Sequence, residues 1–167
     1  LYCGTIDKYM GDCAMVVFGI PQQDPKHSFH AIACAVLIQR LVERLNTIRL
    51  EKGQFPVRFR LGINSGEMLA GNMGYNDRME FTVVGDSVNL ASRLCTFAAP
   101  GKIVINKDTY ISPGISDQII AHEHKPIQLR NRKHPVSTYI VDSLAPEYEL
   151  LMDKQIEKIL ASKAVAA

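Results

Sequence analysis

Apolar residues return every three or four positions between Pro25 and Gly53, at Phe29, Ala33, Val36, Leu37, Leu41, Leu45 and Ile48. That spacing predicts an amphipathic helix over residues 28–50. The segment before it is patterned differently. Residues 4–8 and 14–18 are short apolar-rich runs on either side of Tyr9-Met10-Gly11-Asp12, which predicts a β-hairpin turning at those residues. Pro21-Gln22-Gln23-Asp24-Pro25 then breaks the chain ahead of the helix. Beyond the helix, Val57, Phe59, Leu61 and Ile63 alternate with Arg58, Arg60, Gly62 and Asn64, the period of two expected of a half-buried strand. Residues 66–74 are expected to continue the sheet and residues 79–84 to form another strand. Gly85-Asp86-Ser87 opens a second helix, with acceptor side chains near its start, that runs to about Cys95. A strand over 102–105, a short helical piece over 107–111, strands near Ile119 and over 137–141, and a terminal helix over 145–164 complete an α+β pattern. No internal repeat interrupts it, so the expectation is one domain over 1–144 followed by a C-terminal helix over 145–167.

Composition narrows the classes of function. A chain of 167 residues with 47% apolar content can bury one real core and has no room for a second full domain. No apolar run approaches the roughly 18 residues of a membrane span, and Leu1-Tyr2-Cys3-Gly4 lacks the regions of a signal peptide. This predicts a soluble segment without direct membrane insertion. A net charge of +2 on scattered basic residues argues against nucleic acid as a partner and leaves small anionic ligands. The four cysteines, at 3, 13, 34 and 95, form no close pair of the kind zinc or redox motifs need, which fits free thiols in the cytoplasm.

Two segments carry candidate chemistry. Asp12 sits beside Gly11, whose freedom at positive φ suits a tight turn; taken by itself, Asp12 is an ordinary turn carboxylate. Asn89 and Arg93, four apart, project from one helix face while Leu90, Ala91 and Leu94 can face the core. The arginine offers a planar donor fork suited to phosphate oxygens, and the asparagine can donate to a ribose.

Taken together, Lys8-Tyr9-Met10-Gly11-Asp12, then Phe18-Gly19, then Arg60-Leu61-Gly62-Ile63-Asn64-Ser65-Gly66, and finally the run from Glu80-Phe81-Thr82 to Ala91-Ser92-Arg93 resemble the catalytic domain of class III nucleotidyl cyclases. The motifs follow the family's order over residues 4–142. The resemblance implies an α+β, ferredoxin-like βαββαβ fold, antiparallel-rich and with helices on one side of the sheet. It also implies a head-to-tail homodimer whose active sites lie at the interface. Asp12 resembles one of two aspartates that hold two Mg2+ or Mn2+ ions on the triphosphate of ATP. The other lies in the family in an upstream phenylalanine-aspartate-isoleucine-glycine-phenylalanine-like run that does not occur here. The chain is therefore expected to start after the family's first strand and helices, and to turn over little alone, because one carboxylate cannot bridge two ions.

The remaining roles follow residue by residue. Lys8 and Thr82 resemble the pair that reads the purine, the lysine donating to a ring nitrogen of adenine and the threonine contacting its exocyclic amine. Guanylate cyclases place a glutamate at the first position, so the pair implies ATP and the bacterial, soluble-cyclase-like branch, some of whose members respond to bicarbonate. Asn89 and Arg93 resemble the residues that orient the ribose and steady the α-phosphorus, where charge builds as the 3′-hydroxyl attacks to give cyclic AMP and pyrophosphate. Arg130 stands where the family has a triphosphate-binding lysine, with Arg132 and Lys133 as alternatives. Family members carry an upstream regulatory domain, and attachment to the inner membrane, where it occurs, runs through upstream segments.

Other readings are weaker. A guanylate cyclase is the nearest enzymatic alternative, and a catalytically silent dimerisation module is the nearest non-enzymatic one. A diguanylate cyclase is disfavoured because its Gly-Gly-Asp-Glu-Phe type of turn does not occur. The pairs His27/His30 and His122/His124 read as surface histidines, lacking a third ligand. Met68, Met73 and Met79 read as core or interface fillers, Asp7 as a solvated strand residue, and Asp86 as a helix-start acceptor.

Overall fold

The computed structural model describes residues 2–75, 78–129 and 133–164. Strands β1 (Thr5–Met10) and β2 (Cys13–Val17) form the expected hairpin around Gly11, whose φ of 64° is why glycine suits that corner. Helix α1 (His27–Glu51) follows, one residue longer at each end than its periodicity predicts. Strand β3 is only Leu61–Ile63. The alternating pattern predicts a strand from Val57, but Val57 gives both its backbone groups to the Asn46 side chain, at 2.7 Å each, leaving none for a neighbouring strand.

Strands β4 (Leu69–Tyr75) and β5 (Arg78–Val84) make a second antiparallel hairpin. It pairs with itself and does not extend the sheet that holds β3, contrary to the expectation for residues 66–74. Helix α2 (Asp86–Phe97) comes next, then β6 (Ile103–Asn106), the short helices α3 (Lys107–Tyr110) and α4 (Ile115–Gln118), β7 (Ile119–Ile127), β8 (Val136–Leu144) and α5 (Pro146–Ala164). The main sheet has the order β3-β6-β8-β7, with β3 and β6 parallel and the other pairs antiparallel.

Alternation along β6 and β8 divides the core between the two faces of this sheet. Ile103, Ile105 and Val141 pack with Ile32, Val36 and Leu37 of α1 and with Met152 and Ile156 of α5. Val104 and Ile140, pointing the other way, pack with Leu90 and Leu94 of α2. Helices therefore cover both faces, not one, because the two-residue period of a fully buried strand leaves an apolar row on each side. Arg40 of α1 ties down α5 through Glu149 and, at 3.2 Å, Asp153. Among the described residues no helix is long and apolar enough to cross a membrane.

Candidate active site

Helix α2 is seated by the segment before it. A Cβ at Gly62 would lie 2.1 Å from Cys95 N and 2.5 Å from Ala91 O, so the β3 backbone runs directly beneath α2 and only glycine permits it. Two bonds add to that seat: Asn64 Nδ2 donates to Ser87 O at 3.0 Å, and the Cys95 thiol donates to Arg60 O at 3.3 Å. Leu90 and Leu94 are buried, which turns Asn89 and Arg93 outward, both exposed and without a side-chain partner among the described residues. α2 starts at Asp86 in its first turn, with Gly85 as N-cap and no capping side-chain bond, so Asp86 is not the cap acceptor its position suggests.

The hairpins bring together a second group. Thr82 of β5 is buried, 8% exposed, and its Oγ1 donates to Asp7 Oδ2 at 3.0 Å. Lys8 Nζ lies 3.4 Å from the same oxygen. Alternation predicts a solvated Asp7; its side chain is 4% exposed. The cause is a bulge. Ile6 pairs with Val16 and Lys8 with Met15, so Asp7 is the extra residue opposite β2 and escapes the alternation that would set it against Lys8. No periodicity in the sequence signals that bulge, so sequence reasoning misses Asp7.

Asp12 occupies the β1–β2 turn and is exposed. Lys8 pairs with Asp7, and the local Lys8–Asp12 ion pair that their spacing allows does not form. Among the described residues no group of three or more His, Cys, Asp or Glu side chains is placed to hold a metal ion. Asp12 has the hard oxygen donors a divalent cation favours, as one ligand of several. Arg130 and Arg132 lie outside the described residues. Lys133 borders an open cleft of about 550 Å3 with Lys107, Asp108 and His134.

The His27/His30 pair does structural work. His27 Nδ1 donates to Asp24 O at 2.8 Å and His30 Nδ1 lies 2.6 Å from Asp24 Oδ2, a contact that, with a backbone bond from Lys26, holds the Asp24 carboxyl below its usual pKa. Both rings are half-buried, closing the loop before α1, so they are not free surface groups. His122 pairs with Asp142 on the surface. Of Met68, Met73 and Met79, the last is exposed and the other two are not buried, which excludes a core role for these three.

The two hairpins thus place Lys8 and Thr82 beside one carboxylate, and the glycine-seated α2 turns Asn89 and Arg93 outward. The family model for the adenylate and guanylate cyclase catalytic domain matches residues 5–143, and the chain belongs to this class III nucleotidyl cyclase family. Adenylate cyclase 1 of Rhizobium meliloti (strain 1021) is 35% identical over 91 residues, 54% of this chain and 14% of that protein. An uncharacterised protein of Mycobacterium tuberculosis (strain ATCC 25618 / H37Rv) is 31% identical over 134 residues, 79% of this chain and 24% of that protein. The chain thus spans a quarter or less of these relatives' length. Among solved structures, the adenylyl cyclase CyaB from P. aeruginosa superposes with a TM-score of 0.79 at 34% identity, covering 87% of this chain and 74% of that one. The guanylyl cyclase Cya2 gives 0.78 at 31%, covering 88% and 74%.

Proposed function

We propose that this domain is an adenylate cyclase, converting ATP to cyclic AMP and pyrophosphate. The observation that carries the reading is the side-by-side placement of Lys8 and Thr82, from two hairpins far apart in sequence, around one carboxylate oxygen. A lysine can only donate, and adenine presents an acceptor at its ring nitrogen beside a donor amine, whereas guanine presents the reverse. Arg93 and Asn89, outward on α2 and unpartnered among the described residues, are free to take the α-phosphate and the ribose. Arg130, with Arg132 or Lys133 in its place, meets the triphosphate.

Asp12 would be one ligand of the Mg2+ or Mn2+ pair, with the triphosphate and the family's second aspartate supplying others; these ions neutralise the triphosphate and polarise the attacked phosphorus. Self-association supplies the rest of the site. Ile6, Tyr9, Met10 and Val16 on the first hairpin and Leu69, Met79 and Phe81 on the second are exposed, an apolar surface suited to a second copy of the domain in head-to-tail fashion. An upstream regulatory domain and a cytoplasmic setting belong to the same reading.

The guanylate alternative has one observation behind it, the near-equal superposition on Cya2. A silent module is disfavoured because Lys8, Asp12, Thr82, Asn89 and Arg93 are present together. The deciding experiment supplies the intact protein with Mn2+ and either ATP or GTP and measures cyclic product. Cyclic AMP as the main product is expected; cyclic GMP alone would refute the base assignment, and no product from either nucleotide would favour the silent module.

A further inference from the structure

We propose that Asp7 is the positioning residue that sets the base preference of this site, by making Thr82 an acceptor and holding Lys8 as the donor beside it. The proposal rests on the adenylate reading of Lys8 and Thr82 and adds a third residue to it. A threonine hydroxyl is ambivalent: it has one proton to give and two lone pairs to receive. Left alone it can rotate to accept from the adenine amine or to donate to the guanine carbonyl, so by itself it discriminates weakly between the two bases. A carboxylate oxygen only accepts. Thr82 Oγ1 therefore commits its proton to Asp7 Oδ2 at 3.0 Å, and what it presents outward is lone pairs alone.

The same Oδ2 lies 3.4 Å from Lys8 Nζ, which orients the ammonium next to that hydroxyl while leaving the lysine side chain 36% exposed for a ligand. The carboxylate itself, at 4% exposure, is too enclosed to touch the base and acts through its two neighbours. The bulge between Ile6 and Lys8 makes this possible, since it turns Asp7 and Lys8 toward the same group. The resulting outward pattern, one acceptor beside one donor, matches adenine and opposes guanine, which would meet lone pair against lone pair.

The test compares kcat/KM for ATP and for GTP in the intact protein carrying Asp7→Ala, Asp7→Asn or Thr82→Val, and the double variant Asp7→Ala with Thr82→Val. A discriminating hydrogen-bonded pair is worth roughly ten-fold in base choice or more. Asp7→Ala should therefore lower the ATP-to-GTP ratio by about that factor, and Asp7→Asn, which keeps the side chain's volume, should lower it less. In the Thr82→Val background Asp7→Ala should shift the ratio by a smaller factor than it does in the parent, because the hydroxyl to be oriented is gone and only the hold on Lys8 remains. If both Asp7 variants reduce the two activities in equal proportion, Asp7 only supports the fold and the proposal is overturned. It is equally overturned if Asp7→Ala shifts the ratio by the same factor with and without the Thr82 hydroxyl. Should Asp7→Ala not fold, the ratio in Asp7→Asn decides. A wild-type protein that prefers GTP fails at the earlier step, the adenine reading, and is told apart by needing no variant at all.

Discussion

Four thiols divide by environment in a way that reaction can read. Cys3 and Cys13 are exposed, while Cys34 in α1 and Cys95 in α2 are partly enclosed, and burial pushes both of the latter thiols above the ordinary cysteine pKa. Because the thiolate is the reacting form, alkylation near pH 8 should label Cys3 and Cys13 well before Cys34 and Cys95. Timed mass spectrometry checks this, and equal labelling of all four would contradict the packing around α1 and α2. The sign for stability follows from the same burial. Cys34 favours folding while it stays protonated, so its contribution is complete below the unfolded thiol's pKa and is lost as pH rises through the higher folded value. At this scale the sequence is legible where a residue type has one use and opaque where geometry decides. Lys8, Thr82 and Asp12 stand out through their motif, whereas Asp7 reads as solvated because alternation sets neighbours on opposite faces and a bulge leaves no mark in residue type.

Elements are legible to the extent that one period governs them. α1 and the β1–β2 hairpin follow their patterns to within a residue or two, since apolar spacing and the Gly11 corner point the same way. β3 shortens because Asn46 takes the Val57 backbone, and β4 leaves the main sheet because it pairs with β5; both outcomes rest on partners that strand periodicity does not reveal. The placement of α2 separates stability from activity most clearly. Gly62→Ala would push a Cβ to 2.1 Å from Cys95 N, a clash with backbone that only movement of α2 or β3 relieves. It should cost about 3 kcal/mol or more, at the upper end of overpacking effects, and should lower turnover by shifting Asn89 and Arg93. Arg93→Ala, at an exposed position unpartnered among the described residues, should alter stability by no more than about 0.5 kcal/mol while losing turnover. Denaturant unfolding beside initial rates distinguishes the two, and a Gly62→Ala protein as stable as the parent would show that α2 is not held by that contact.

Across the whole molecule, the residues proposed for the site fall into groups that the fold does not join. Lys8 and Thr82 meet through Asp7, Asn89 and Arg93 stand on α2, and Asp12 lies at the far end of the first hairpin, with no side-chain contact to Arg93 among the described residues. A two-stranded hairpin is marginal alone, and both hairpins carry exposed apolar residues, among them Tyr9 at 70% and Leu69 at 72%. A second copy covering that surface would complete each site with Asp12 from one protomer and Arg93 from its partner. Complementation measures this directly. Asp12→Ala and Arg93→Ala should each abolish turnover while leaving folding intact, since both positions are exposed. When the two proteins are mixed and allowed to exchange, half the dimers pair unlike copies. In a head-to-tail dimer each of these has one site with both substitutions and one with neither, so about a quarter of parental activity should return. Copies bearing different affinity tags establish that mixed dimers have formed. Mixed dimers without activity would place Asp12 and Arg93 in the same protomer's site, and would leave the apolar hairpins to cover something other than a second catalytic half.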